Sequence, residues 1–241
     1  MNPPGRPKGE YRSAQHEGTA VSQREIFLAG EGDAYFRRNA AGYDPARADA
    51  SSLPLEVIRR YLQAGARVLE IGCANGLNLE RLRRDPGCTG SGLDPSAAAI
   101  AAGRREFPAL DLQVGTAEKL PFADASFDLV WFGFCLYLVD RPLLPRVVAE
   151  ADRVLRDGGL LAIVDFDPDA SVRRHYRHAP GVSSYKTDHA RMFLGFPQYV
   201  LAEKRPFSHA GDHWDADPGE RLAVQVLAKH TTGGYAAIES A

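Results

Sequence analysis

The stretch Arg67 to Leu79, RVLEIGCANGLNL, decides how the rest of the chain is read. Val68, Leu69 and Ile71 form a short apolar run around Glu70, and Gly72, Ala74 and Gly76 follow at every second position. Such a run suits a strand buried in a parallel sheet, and residues with little or no side chain let the next turn approach a bound molecule. The dinucleotide fingerprint G-x-G-x-x-G, which seats a pyrophosphate on a helix N-terminus, is not met. The pattern is E-x-G-x-A-x-G. Its acid, at the strand end, repels a pyrophosphate and attracts an ammonium, which implies a nucleoside carrying positive charge. The same residues also fit an ordinary strand-to-helix connection.

The units that follow favour the ligand turn. Thr89 to Leu93 reads as a second strand running into Asp94-Pro95-Ser96, and an acid at that strand end can accept hydrogen bonds from both hydroxyls of a ribose. A third unit, Leu112 to Phe122, places the short polar group Thr116-Ala117-Glu118 after a strand, where it can meet an adenine edge. Asp124 to Trp131 is a loop feeding a fourth buried strand.

With these segments in order, LEIGCANG, GLDPS, GTAEKLPF, SFDLVWF and then RVLRDGGLLAIVDF, the chain resembles the class I S-adenosylmethionine-dependent methyltransferases of the ubiquinone/menaquinone-biosynthesis-like type. The resemblance covers Leu53 to Phe166 strongly and is architectural beyond. Ala74 stands where many members have a glycine. The resemblance implies an α/β fold with a Rossmann-like, doubly wound sheet of seven strands, mostly parallel with a terminal antiparallel hairpin. It also implies transfer of a methyl group from S-adenosylmethionine to an O, N or C nucleophile of a small-molecule acceptor, giving S-adenosylhomocysteine. Glu70 with Gly72, Cys73, Ala74 and Gly76 would hold the methionine end, Asp94 and Pro95 the ribose, Ala117 and Glu118 the adenine, and Phe132 with Gly133 would lie near the methyl group. Two alternatives stay open: a catalytically silent, cofactor-binding partner subunit, and another sulfonium reaction on the same fold.

The length of 241 residues suits one α/β domain. With 29 Lys and Arg against 31 Asp and Glu there is no electrostatic footprint for nucleic acid. No run is long and apolar enough for a membrane span, and the N-terminus lacks the apolar core of a secretory signal, so a cytoplasmic location is expected. Three cysteines, Cys73, Cys88 and Cys135, lack metal-ligand spacing and read as reduced thiols. No metal is expected, and the pattern leaves the oligomeric state open.

Residues 1–20, rich in Pro, Gly and polar side chains, read as a disordered tail, residues 21–53 as a helical cap, 54–230 as the main domain and 231–241 as a C-terminal tail. The cap carries Tyr35, Phe36, Asn39 and Tyr43, which either line the substrate mouth or pin the cap. Tyr199 to Phe207 and Arg221 to Lys229, with no helix between them, should pair as an antiparallel hairpin. The segment 167–197 is longer than a simple connection needs and is expected to face the acceptor. Its His175, His178 and His189 are candidate bases, because histidine titrates near neutral pH, and Tyr137 is a candidate pocket residue.

Overall fold

The computed structural model describes residues 21–231 and 233; the tail expected over 1–20 and most of that over 231–241 lie outside them. The chain begins with α1 (Gln23–Ile26), a π-helical turn (Phe27–Glu31) and α2 (Gly32–Arg38). Ser22 caps α1 through a capping box with Glu25, and Gly30, at φ 151°, breaks the helical path between the two helices. Two 3-10 turns then lead to α3 (Leu53–Arg59), where Pro54 fits the first turn because its missing N–H has no helical partner there.

Strands and helices alternate next: β1 (Arg67–Ile71), α4 (Leu77–Arg84), β2 (Thr89–Asp94), α5 (Ala97–Glu106), β3 (Asp111–Val114), β4 (Phe127–Gly133), α6 (Leu144–Val154) and β5 (Leu155–Phe166). A small hairpin, β6 (Val172–His175) with β7 (Ser183–Lys186), and α7 (Arg191–Leu194) precede β8 (Tyr199–Ser208) and β9 (Arg221–Lys229). The main sheet has seven strands in the order β3-β2-β1-β4-β5-β9-β8. The first five are parallel, β9 runs antiparallel to β5, and β8 antiparallel to β9. This is the doubly wound sheet with a reversed edge that the sequence implied.

Alternation along the strands divides the core into two layers. Val68, Leu129, Trp131, Ala162 and Val224 face α3, α4 and α5, packing on Leu55, Ile58, Leu79, Leu82 and Ile100. Leu69, Ile71, Val130, Phe132 and Ile163 point the other way, onto Val147, Ala151 and Val154 of α6 and Phe193 of α7. Both faces are covered, which is why these strands read as continuous apolar runs.

β5 begins at Leu155: the Asp157-Gly158-Gly159 turn, with Gly158 at φ 70°, is folded into it where its pairing with β4 jumps from Leu155 opposite Phe127 to Leu160 opposite Leu129. The segment 167–197 contains the β6–β7 hairpin.

Candidate active site

Sheet order fixes where a ligand can sit. β2 and β3 lie on one side of β1, and β4 and β5 on the other, so the winding reverses between β1 and β4 and leaves a crevice beyond their carboxyl ends. The main cavity opens there. Ile71 and Gly72, then Leu93, Asp94 and Pro95, then Gly115 to Glu118, then Gly133 to Cys135 supply its walls from the ends of four successive strands, and Arg24, Phe27, Tyr35, Phe36 and Tyr43 of the cap close over it.

Its floor is bare backbone for a steric reason. A Cβ on Gly72 would stand 2.7 Å from Cys135 Cβ, and one on Gly133 would stand 2.6 Å from Glu70 Oε1. Gly72 and Ala74 also hold positive φ, 78° and 49°, a strained choice for the alanine. Gly76, at φ 79°, starts α4, and a Cβ there would meet Leu110 and Leu112 at 3.0 Å, so its role is to shape the turn.

Glu70 lies against Gly133 and is 1% exposed. Asn78 Nδ2 donates to its Oε1 at 3.0 Å, while Oε2 has no hydrogen-bond partner among the described residues. Burial pushes its pKa up to about 8, with the Asn78 bond pulling down and nearby Asp94 pushing further up. A buried carboxylate oxygen without a donor is costly, and an incoming ammonium would remove that cost.

Asp94 is held by the chain itself: Ala74 N–H donates to Oδ2 at 2.9 Å and Ser96 N–H to Oδ1 at 2.8 Å. Burial raises its pKa to about 6, against those two bonds. Each oxygen retains a lone pair, so the carboxylate can accept from a vicinal diol. These features fit S-adenosylmethionine: an orphaned acid for its ammonium, a positioned acid for its ribose, and a floor that tolerates no side chain.

The other cofactor-side candidates divide. Pro95, Ala117 and Glu118 line the cavity. Glu118 Oε1 also accepts from Thr116 Oγ1 at 2.7 Å and pairs with Arg24 at 3.3 Å, so it ties the cap to the wall. Cys73 turns inward against Gly92 and reaches only a second compartment beside the cavity. Phe132 does not line the cavity. The two-residue period of β4 sends its ring into the core, 6.1 Å from the Phe193 ring, and the cavity takes Gly133 and Phe134 instead.

The histidines are not brought to the cavity. His175 and His178 are exposed on and beside the β6–β7 hairpin, where His178 meets the Tyr176 ring edge-on at 5.1 Å. His189 is 1% exposed, and burial, aided by Arg141, lowers its pKa to about 3. It is therefore neutral, and its Nδ1, 3.9 Å from Asp165, forms no ion pair there. Tyr137 is buried between Phe134 and Phe166; its hydroxyl pairs with that of Tyr35, which does line the cavity. Asn39 does not line it, and donates to Tyr35 O at 2.9 Å.

Several working residues were not foreseen. Asp165, at the end of β5, accepts from Phe166 N–H at 2.8 Å and Tyr137 N–H at 3.2 Å, and burial pushes its pKa up to about 7. Gln23 latches the cap: its Nε2 donates to Leu138 O at 2.8 Å and its Oε1 accepts from Ser183 N–H at 2.7 Å. Asp140 accepts from Gln23 and Arg24 N–H at 3.0 and 2.9 Å, and Asp33 from Ser96 Oγ and Ala98 N–H at 2.7 and 3.0 Å. A polar residue opening an amphipathic turn was the only sequence signal for this latch.

A sheet in this order, with a cavity at its reversal point walled by the ends of β1 and β2, has the architecture expected from the resemblance to class I S-adenosylmethionine-dependent methyltransferases. Comparison with known proteins agrees. Residues 69–163 match the family described as a methyltransferase domain. The chain is 29% identical to a demethylmenaquinone methyltransferase of Renibacterium salmoninarum, over 73% of this chain and 74% of that one. It is 39% identical to a malonyl-[acyl-carrier protein] O-methyltransferase of Enterobacter lignolyticus, over 44% of this chain and 41% of the relative, so it spans about two fifths of that relative's length. The crystal structure of a Burkholderia thailandensis 1,6-didemethyltoxoflavin-N1-methyltransferase, with 1,6-didemethyltoxoflavin and S-adenosylhomocysteine bound, shares the fold at a TM-score of 0.63 and 17% identity, covering 91% of this chain and 98% of that one.

Proposed function

We propose that the protein transfers a methyl group from S-adenosylmethionine to an oxygen, nitrogen or carbon nucleophile of a small-molecule acceptor, releasing S-adenosylhomocysteine. One observation carries this reading: Asp94, fixed by two backbone N–H groups, lines the cavity, and Glu70 of the adjacent strand, with an unpaired buried oxygen, lies directly behind Gly133 of the cavity wall. When bound, the cofactor supplies an electrophilic methyl on a sulfonium. Glu70 would hold its ammonium, Asp94 its ribose hydroxyls, and Ala117 with Glu118 would flank the adenine.

The chain's own contribution is alignment and exclusion of water. Holding a nucleophile against the methyl can supply on the order of 7–11 kcal/mol of barrier reduction. The latched cap, with Tyr35, Phe36 and Tyr43 on the cavity, serves that purpose. Among the described residues no histidine lines the cavity, so the reading assigns no histidine base; Arg24, Tyr35 and Tyr43 are the polar residues the cap brings to it.

No helix among the described residues is long and apolar enough to cross a membrane, and a cytoplasmic setting is part of the proposal, supported by three cysteines that remain thiols. The test is product analysis. The full chain is incubated with labelled S-adenosylmethionine and a panel of small nucleophiles, and S-adenosylhomocysteine is measured. Methylthioadenosine in its place would point to a different sulfonium reaction, and neither product, despite tight cofactor binding, to a silent partner subunit.

A further inference from the structure

The β6–β7 hairpin stands apart from the main sheet, and its two strands pair only with each other among the described residues. β7 lies inward, with Ser183 and Ser184 buried, whereas all four residues of β6 are exposed. Tyr176 N–H donates to Val182 O at 3.0 Å, one step beyond His175 opposite Ser183. Backbone groups along an antiparallel strand alternate in direction, so those of Arg174 also face β7, and those of Arg173 and His175 face outward. The far edge of β7 obeys the same parity: Ser183 N–H, opposite His175, points away from β6 and meets Gln23 Oε1 at 2.7 Å. The cap thus occupies the edge of β7, and among the described residues β6 presents an open one.

The side chains along that open edge are basic and lack counter-ions. Arg173, Arg174 and Arg177, with His175 and His178, fall within VRRHYRH from Val172 to His178, a run without an acid. Arg173 Nε donates to Ser183 Oγ at 3.1 Å and Arg177 Nε to His178 Nε2 at 3.0 Å, both acceptors that carry no negative charge. None of the three guanidinium groups forms an ion pair among the described residues, whereas nearby Arg38 and Arg221 have Glu31 and Asp169. Charges on an edge strand repel another strand of like charge. They also select the strand that is admitted: Arg173 and Arg174 project to opposite faces of β6, so each can meet a carboxylate across the edge.

We propose that the open edge of β6 docks an extended, acidic polypeptide segment of a partner protein, which adds as a third strand to the hairpin with carboxylates opposite Arg173, Arg174 and His175. On its other side the hairpin holds the cap, through Tyr176 Oη with Glu31 Oε1 at 3.1 Å and through Gln23 with Ser183. A partner docked there stands beside the roof of the cavity and touches none of its walls.

The probe is a fluorescein-labelled peptide, Thr-Val-Glu-Glu-Glu-Val-Thr, titrated against the full chain by fluorescence anisotropy. Saturable binding is expected, weakened at least tenfold in Arg173→Glu and in Arg174→Glu, with circular dichroism and urea unfolding of both variants matching wild type. The same peptide with its glutamate amides N-methylated, equal in charge but unable to lie along a strand edge, should bind at least tenfold more weakly. Residue-resolved amide exchange supplies a second readout: the peptide should slow exchange at Arg173 and His175, whose N–H groups face outward, by a larger factor than at Arg174 and Tyr176, which β7 already holds. The proposal is overturned by absence of saturable binding to the wild type, by equal binding of the N-methylated peptide or of an oligothymidylate of equal charge, which would make the patch a general polyanion surface, or by protection confined to residues outside β6.

Discussion

Glu70→Gln should make the ligand-free protein more stable at alkaline pH while weakening cofactor binding. Glu70 is fully buried with one oxygen unpaired, and its pKa in the fold is about 8 against an ordinary 4.5. Below pH 4.5 the carboxyl is protonated in both folded and unfolded chains, and folding pays nothing for it. As pH rises from there the unfolded chain gives up the proton while the fold retains it, so this group removes stability at about 1.4 kcal/mol per pH unit until pH passes about 8. Across pH 5 to 8 that loss is about 4 kcal/mol.

Glutamine keeps an oxygen for the Asn78 donor and has no proton to lose. It introduces a buried NH2 in place of the unpaired oxygen, at a pH-independent cost of about 1–3 kcal/mol. The variant should therefore be the less stable protein at pH 5 and the more stable one at pH 8.5. Urea unfolding followed by circular dichroism at several pH values gives the difference directly, and other titrating groups, Asp165 and His189 among them, largely cancel in it. S-adenosylhomocysteine at a thousand times its wild-type Kd should reverse the order at pH 8.5, since it then adds about 4.1 kcal/mol to the protein that binds it. A variant-minus-wild-type difference that stays flat within about 0.5 kcal/mol from pH 5 to 8.5 would refute the reasoning, because Glu70 would then be ionised in the fold at no cost.

Asp94→Asn should weaken S-adenosylhomocysteine binding by about ten-fold to a hundred-fold, or roughly 1.5–3 kcal/mol, in calorimetry. Asp94→Ala should also destabilise the fold by ~1–3 kcal/mol for each N–H it strands, those of Ala74 and Ser96, so equal unfolding curves for the two variants would count against that geometry. His175→Ala and His178→Ala should leave turnover and its pH profile within about twofold of wild type, a result that a hundred-fold loss in either would overturn, because a general base is worth roughly that much. Gln23→Ala removes both latch bonds and should speed S-adenosylhomocysteine release in stopped-flow at least several-fold; an unchanged off-rate would show that the cap does not gate the cavity.

What the sequence made legible was what depends on chain-local pattern. Glu70 and Asp94 stand at strand ends, and an apolar run giving way to small residues announces where a strand stops, so both acids could be expected near the crevice before any contact was known. Phe132 shows the limit of the same rule. One step along β4 reverses the face, and the position that meets the cavity is Gly133, whose neighbour Glu70 Oε1 leaves no room for a Cβ. The histidines were misplaced for a different reason. His175 and His178 lie in a segment whose length called for an explanation, but whether such a segment covers a cleft depends on where its hairpin pairs, and β6 and β7 pair with each other, leaving both rings exposed. Asp165 carried a legible signal that went unread: an acid inside the run Leu160 to Phe166 has to be satisfied somewhere, and here the N–H of Tyr137 in the turn after β4 and that of Phe166 in β5 itself do so. Buried acids at strand ends are the residues for which local pattern and function coincide; side chains such as Gln23 and His209, whose partners are more than forty positions away, become visible only when the fold brings those partners to them.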